Sequence, residues 1–240
     1  MFSLLYGLVA YLFFLATFLY TMGFTGNLIV AKTIDSGTAG PVVQAIVVDV
    51  ALLGIFAVQH SIMARRGFKR WWTRFVPEVV ERSTFVLAAT AALALLLWQW
   101  QPIPEPVVWS VDGAVARAML CLFWIGWGVV LLSTFLINHF ELFGLRQAAR
   151  GFAGAAMVEP KFRTPLFYRY VRHPLYLGFV LTFWSVPIMT AGHLLFSVGT
   201  TGYILVGIWF EERDLVHQFG ETYLRYREQV GMLLPWRKTS

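Results

Sequence analysis

Long apolar segments fill most of the chain and alternate with short polar connections. Four of them carry at most one charged residue, and each could cross a hydrocarbon core about 30 Å thick as a helix. They are residues 4–30, 42–64, 83–101 and 119–138. Backbone groups cannot bond to water inside a bilayer, so these segments are predicted to be membrane-spanning helices. The sequence lacks the alternating pattern of a membrane β-barrel.

A fifth apolar stretch, residues 175–210, is too long for one ordinary span. Val186, Pro187 and the segment 190–193 near its middle are typical of a break. We therefore predict two helices joined by a tight turn. The expected fold class is all-α, a polytopic membrane helix bundle of about six spans, with five as the alternative. Amphipathic C-terminal helices are expected to follow on the cytoplasmic side.

Basic residues indicate the orientation of the bundle. Every Lys and Arg except Lys32 and Arg117 falls within residues 65–82, 146–172 or 213–238. Because cytoplasmic connections are enriched in positive charge, these segments and both termini are predicted to be cytoplasmic. These topology signals and headgroup contacts explain the net charge of +6, so no nucleic-acid partner is expected.

Composition agrees with a protein whose main partner is the lipid bilayer. The chain is 58% hydrophobic and only 13% charged, whereas a soluble domain carries about 25% charged residues. A single cysteine, Cys121, excludes a disulfide framework. The histidines show no pairing at metal-ligand spacing, so no metal is expected. Asp49 in the second span is either a relay residue or an acid near the outer interface.

Polar and aromatic side chains are mixed in residues 138–147, at the end of the fourth predicted span. The run could be an interfacial helix end, with Arg146 reaching toward the headgroups. The presence of His139, Glu141 and Gln147 in the same run instead favours part of a site.

A second group begins at Arg172. Pro174 suits the first turn of the fifth span, where its missing N–H needs no partner. The free amides of that helix start and the guanidinium favour an anionic ligand group; a basic membrane anchor is the alternative. Gly178, one turn further, permits close approach by a ligand or by another helix.

A third group lies at the predicted end of the sixth span. Glu211 and Glu212 are unfavourable there because cations belong at a helix C-terminus. Arg172 could offset them, since a tight hairpin brings both helix ends to one membrane face. A solvated acidic helix extension is the alternative.

The tail that follows has apolar and aromatic residues at helical spacing, which predicts an amphipathic segment on the membrane or the site. Gly220 is a candidate break between two short helices. Tyr223 and Tyr226 lie one turn apart on one face and could form an aromatic wall, although core packing is the commoner role of such residues.

These residues resemble, in order and spacing, the membrane methyltransferases of the isoprenylcysteine carboxyl methyltransferase and phospholipid methyltransferase type. The resemblance rests on Arg172, His173, Pro174, Tyr176, Gly178, Glu211, Glu212, Leu215, Phe219, Gly220, Tyr223, Tyr226 and Pro235. Within that superfamily, the run 138–147 and the chain length are most similar to bacterial methanethiol S-methyltransferases, which use S-adenosylmethionine to make dimethyl sulfide.

The resemblance implies an S-adenosyl-L-methionine-dependent enzyme of a bacterial inner membrane that methylates a small apolar thiol. It implies one integral-membrane methyltransferase domain, with N-terminal spans in residues 1–113 and a catalytic part in 114–240. The implied cofactor-binding residues are Arg146, Gln147, Arg172, His173, Tyr176, Gly178, Glu211, Glu212, Tyr223 and Tyr226. In this scheme Arg172 holds the methionine carboxylate.

A small thiol must lose its proton before methylation, because the thiolate is the nucleophile. We hypothesise that His139 or Glu141 assists this step. The enzymatic alternative is methylation of an isoprenylcysteine carboxylate or a phospholipid headgroup, which needs a lateral opening for a lipid tail. The non-enzymatic alternative, a transporter or sensor, has little support, because the predicted spans lack repeated halves and carry few charged residues.

Overall fold

The computed structural model describes residues 2–153 and 164–235. Its helices are α1 Phe2–Thr25, α2 Val42–Ala64, α3 Arg66–Trp72, α4 Glu78–Gln99, α5 Gly113–Ile137, α6 His139–Leu142, α7 Leu145–Ala153, α8 Pro174–Trp184, α9 Ala191–Phe219 and α10 Glu221–Gln229. A 3₁₀ turn, Leu166–Arg169, precedes α8, and strands β1 Val107–Ser110 and β2 Ile188–Thr190 form a two-stranded sheet. Lys161, Arg163, Arg237 and Lys238 of the basic segments lie outside the described residues.

Five helices, namely α1, α2, α4, α5 and α9, are long and apolar enough to cross a membrane. The prediction of an all-α polytopic membrane protein is confirmed. The apolar helix α8 has 11 residues. It rises only about 16 Å at 1.5 Å per residue, which is less than a hydrocarbon core of about 30 Å. The number of six spans and the orientation of the termini stay predictions.

The predicted break in the long apolar stretch is confirmed, since α8 ends at Trp184 and α9 begins at Ala191. At its other end α9 differs from the prediction, because it continues to Phe219 instead of ending near Asp214. Gly220 then has a φ of +55°, which glycine adopts without strain. The predicted break at Gly220 is therefore confirmed, but only α10 is a separate short helix, because the residues before the glycine continue α9.

Helix α4 begins earlier than its apolar segment. Pro77 directly precedes the helix, and Glu78 and Glu81 occupy its first turn, where acids are favourable with the helix dipole. Arg82, which the sequence placed in the polar connection, therefore lies inside the helix.

The chain forms two compact units. Unit 1 contains the described residues of Met1–Trp109, Asn138–Val158 and Met189–Phe196. Helix α1 packs against α4 and α7 in this unit. Its core includes the buried rings of Phe24, Trp100 and Phe196, with centroid separations of 6.3 Å for Phe24–Trp100 and 5.5 Å for Trp100–Phe196.

Asp49 is fully buried in α2 of unit 1. Its Oδ1 accepts a hydrogen bond of 2.8 Å from the backbone N–H of Gln101, just beyond the end of α4. This bond gives the carboxylate a structural role, because it holds the chain in place where α4 ends.

Unit 2 contains the described residues of Ser110–Ile137, Glu159–Ile188 and Ser197–Ser240. Helices α5 and α8 approach each other closely in this unit. A Cβ added to Gly178 would lie 2.8 Å from the carbonyl oxygen of Gly126, and one added to Gly126 would lie 2.8 Å from that of Gly178. Small residues are typical of such contacts between membrane helices.

Candidate active site

The chemistry-bearing residues of unit 2 come from the start of α8, the later turns of α9 and the chain around α10. Helix α8 begins at Pro174, as predicted. Its first amides have no partner within the helix, so this end favours negative charge. Arg172 and His173 stand directly before it.

The segment that enters α8 pairs with the chain after α10. The N–H of Arg172 donates to the carbonyl of Gly231 at 2.8 Å, and the N–H of His173 donates to that of Met232 at 3.1 Å. Val171 and Gly231 form a parallel β-bridge. These backbone contacts hold the tail against the start of α8.

The Arg172 side chain binds three groups at once. Its Nε donates to Glu212 Oε1 at 2.8 Å, and the two side chains are only 11% and 14% exposed. Its Nη1 donates to the carbonyl oxygens of Arg227 and Val230, at the end of α10. Arg172 therefore both neutralises a carboxylate and caps a helix C-terminus, where a cation is favourable.

The prediction that Arg172 offsets the acidic pair is confirmed for Glu212, but the stated reason was wrong. Helix α9 continues to Phe219, so the two acids lie inside the helix and not at its end. Burial explains the need for a partner better, because a partly buried carboxylate requires a cation or hydrogen-bond donors.

His173 lies between the two carboxylates of α9. Its Nε2 is 3.2 Å from Glu212 Oε1, and its Nδ1 is 3.8 Å from Glu211 Oε2. The Glu211 side chain is 45% exposed, whereas that of Glu212 is only 14% exposed. The ring centroid of Tyr176 is 5.6 Å from that of His173.

The predicted aromatic pair of the tail is present on α10. The ring centroids of Tyr223 and Tyr226 are 5.8 Å apart, and Tyr223 is buried. The Tyr226 hydroxyl donates to the carbonyl oxygen of Tyr168 at 2.5 Å. Burial raises the pKa of Tyr226 to about 12, so its hydroxyl remains a donor at neutral pH.

Tyr168 is a residue that the sequence did not single out. It lies in the 3₁₀ turn before α8, and burial, together with the negative charge of Glu211, raises its pKa. Its place in an aromatic run close to Arg172 was the available signal, but nothing local indicates that it meets α10.

Together these groups offer a half-exposed carboxylate beside several tyrosines. A carboxylate accepts hydrogen bonds from hydroxyl groups, and aromatic rings with an adjacent acid stabilise an organic cation. Arg172 and Glu212 largely satisfy each other, so the acceptor capacity of the site resides mainly in Glu211.

Gly178 allows the close approach of a helix, which is one of its two predicted roles. Both the Gly126 carbonyl oxygen and the side chain of Val130 lie 2.8 Å from where its Cβ would stand. Helix α5 therefore fills this space, and of the two alternatives, a ligand or a helix, it is the helix that approaches. The place of Gly178 among the cofactor-binding residues stays a prediction.

The other predicted site residues belong to unit 1 and have partners there. His139 is buried, and its Nε2 lies 2.9 Å from the hydroxyl of Tyr11 in α1. Burial lowers the pKa of His139, so the ring is neutral at pH 7. Glu141 pairs with Arg150 at 3.3 Å.

Gln147 and Arg146 face different surroundings. The Gln147 side chain is buried, and its Oε1 accepts a hydrogen bond of 3.0 Å from the backbone N–H of Arg82. Arg146 is exposed and lines an open groove with Leu4 and Phe140. Their predicted contacts with a cofactor stay predictions.

Comparison with known proteins gives full-length relatives. The chain is 56% identical over 235 residues to the methanethiol S-methyltransferase of Mycobacterium tuberculosis, covering 98% of this chain and 96% of the relative. It is 51% identical over 238 residues to methanethiol S-methyltransferase 1 of Bradyrhizobium diazoefficiens, covering 99% and 83%.

A third relative is the methanethiol S-methyltransferase of Crocosphaera subtropica, to which the chain is 52% identical over 236 residues. The alignment covers 98% of this chain and 92% of the relative. No protein-family model matches the chain, and no solved structure matches it. At this level of identity over nearly the whole length, the chain belongs to the methanethiol S-methyltransferase family.

Proposed function

We propose that this protein transfers a methyl group from S-adenosylmethionine to methanethiol and so produces dimethyl sulfide and S-adenosylhomocysteine. The observation that carries the proposal is the identity of 56% to a methanethiol S-methyltransferase over 98% of the chain. In the reaction the thiolate sulfur attacks the methyl carbon, and the bond from that carbon to the sulfonium sulfur breaks. The thiol proton passes to a base.

We assign the cofactor to the site in unit 2. When bound, S-adenosylmethionine supplies an already activated methyl group on a sulfonium cation. Glu211 is the residue best suited to accept from its ribose hydroxyls or to balance its charge, because this carboxylate is half-exposed. Tyr176 and Tyr226 supply aromatic walls. The chain then accelerates the reaction by holding the donor in line and by excluding water.

For Arg172 we propose a role other than holding the methionine carboxylate of the cofactor. Its Nε and Nη1 already bind Glu212 and the end of α10. A bidentate grip on a ligand carboxylate through these atoms would require Glu212 to leave. We therefore assign Arg172, Glu212 and His173 mainly to fixing the tail around the site.

For deprotonation of the thiol, His139 and Glu141 remain the proposed bases. The bilayer is the proposed source of the apolar thiol. Residence in a bacterial inner membrane with both termini in the cytoplasm completes the proposal.

Two measurements on the detergent-purified protein test the proposal. Calorimetry with S-adenosylmethionine should show binding that is at least about tenfold weaker in Glu211→Gln, since a charged hydrogen bond contributes about 1.5–3 kcal/mol. Glu228→Gln, an exposed acid on α10, is the matched control and should bind like the wild type. Headspace analysis after addition of methanethiol should detect dimethyl sulfide. If the wild type does not bind S-adenosylmethionine, both proposed activities are refuted, namely methylation of a thiol and methylation of an isoprenylcysteine carboxylate or a phospholipid headgroup.

A further inference from the structure

Unit 1 contains an open groove of about 560 Å³. Among the described residues, its lining consists of Leu4, Asn138, Phe140, Leu145, Arg146 and Ala149. Four of these side chains are apolar, one is an amide and one is a cation. None of the site residues of unit 2 is among them.

The groove lies beside the first turn of α1, a candidate membrane span, because Leu4 is one of its lining residues. Helix α7 packs against the start of α1, since a Cβ added to Gly7 would lie 2.9 Å from Cβ of Ala148. Ala148 and Gln147 are buried against the unit, whereas Arg146 and Ala149 are exposed on the same short helix. The ends of membrane spans lie at the depth of the lipid headgroups. With α1 spanning the bilayer, Arg146 would stand at the depth of the lipid phosphates.

The lining fits an amphiphile and not a soluble anion. The Arg146 guanidinium can bind a phosphate through two N–H groups, and the amide of Asn138 offers a further donor. Leu4, Phe140 and Leu145 provide an apolar wall, which a free phosphate ion would leave exposed to water but an acyl chain would cover. Phosphate and acyl chain occur together in a phospholipid.

We propose that this groove binds one anionic phospholipid of the bilayer, with its phosphate on Arg146 and the start of an acyl chain against Leu4 and Phe140. The proposal competes with the role in cofactor binding that the resemblance implied for Arg146. It is independent of the methyltransferase reaction, because it rests on the shape, depth and charge of unit 1 alone.

Native mass spectrometry of the delipidated protein tests this site. Wild type, Arg146→Gln and Arg74→Gln are each titrated with phosphatidylglycerol and with phosphatidylcholine of the same acyl chains. Arg74 is an exposed arginine of unit 1 outside the groove, so its variant controls for loss of one positive charge. We expect a bound phosphatidylglycerol in wild type and Arg74→Gln, and about tenfold less in Arg146→Gln. Phosphatidylcholine should bind more weakly throughout.

A second variant and a second ligand sharpen the test. Ala149→Glu places a carboxylate in the groove and should also abolish the lipid adduct, while unchanged melting curves show that both variants fold. Inorganic phosphate in excess should not displace the lipid. Equal adducts in Arg146→Gln and wild type, or an equal loss in Arg74→Gln, would overturn the proposal. So would a loss of S-adenosylmethionine binding in Arg146→Gln with lipid binding intact.

Discussion

Arg172 Nε and Glu212 Oε1 are 2.8 Å apart, and the same guanidinium caps the carbonyls at the end of α10. The pair therefore joins the helix that carries the acids to the chain at the end of α10. Its two side chains are largely removed from water, so breaking the pair should cost more than an exposed ion pair does.

The first prediction concerns this carboxylate. Glu212→Gln keeps an acceptor oxygen but removes the charge, so the tail should loosen at a cost of about 1.5–3 kcal/mol. We expect a lower apparent melting temperature and faster proteolysis within residues 220–235. Glu228→Gln, which lies exposed on α10, should change neither measurement. Equal proteolysis of the two variants would show that the ion pair does not hold the tail.

The second prediction concerns the contact between α5 and α8. Gly178→Ala puts a methyl group 2.8 Å from the carbonyl oxygen of Gly126, and the helices must separate at a cost of about 1–3 kcal/mol. Gly128→Ala adds the same methyl group to α5 in open space. The melting temperature should fall for Gly178→Ala alone. A fall of similar size in Gly128→Ala would refute the close contact.

The third prediction isolates one hydroxyl of the aromatic pair. Tyr226→Phe retains the ring but leaves the carbonyl of Tyr168 without this donor, which should cost about 0.5–1.5 kcal/mol. Weaker binding of S-adenosylmethionine should accompany the loss. Tyr170→Phe, at an exposed tyrosine, should match the wild type in calorimetry and in melting. Identical behaviour of both variants would argue against an ordered tail over the site.

The fourth prediction is the effect of pH on stability. Burial lowers the pKa of His139 in the folded protein, whereas an unfolded histidine titrates near 6.5. The unfolded chain therefore binds the proton first, and stability is lost as the pH falls from about 6.5 toward the lowered pKa. His139→Gln removes this titration while keeping a partner for Tyr11. Its melting temperature should depend less on pH between about pH 7 and pH 5 than that of the wild type.

The fifth prediction addresses the base. The pH–rate profile of dimethyl sulfide formation should lose its acidic limb in His139→Ala or in Glu141→Gln, whichever residue accepts the thiol proton. Unchanged limbs in both variants would remove both residues as bases. Cofactor binding measured in parallel separates a lost base from a lost fold.

Sequence patterns predicted the elements whose signal is local. The apolar run between Pro41 and Arg65 marked α2 at its observed limits, and the Pro187 region marked the break between α8 and α9. The pairing of Arg172 with Glu212 could be predicted because a hairpin has one simple geometry.

Contacts between distant segments could not be predicted in this way. The bridge between Val171 and Gly231 joins residues far apart in the chain, and neither carries a side chain that indicates a partner. The end of α9 was misplaced because Glu211 and Glu212 break the apolar run but not the helix. Gly178 was ambiguous because a missing side chain serves a ligand and a helix equally well.

The three acceptors around Arg172 require the cation of the ion pair to be at position 172 and the acid at position 212. Exchanging the partners, as in Arg172→Glu combined with Glu212→Arg, would restore the attraction between opposite charges. It would also place an acid against the carbonyl oxygens of Arg227 and Val230, where only a donor is tolerated. Charge reversal therefore cannot act as a compensating change here, and neither residue can be replaced by its opposite without rebuilding the end of the tail.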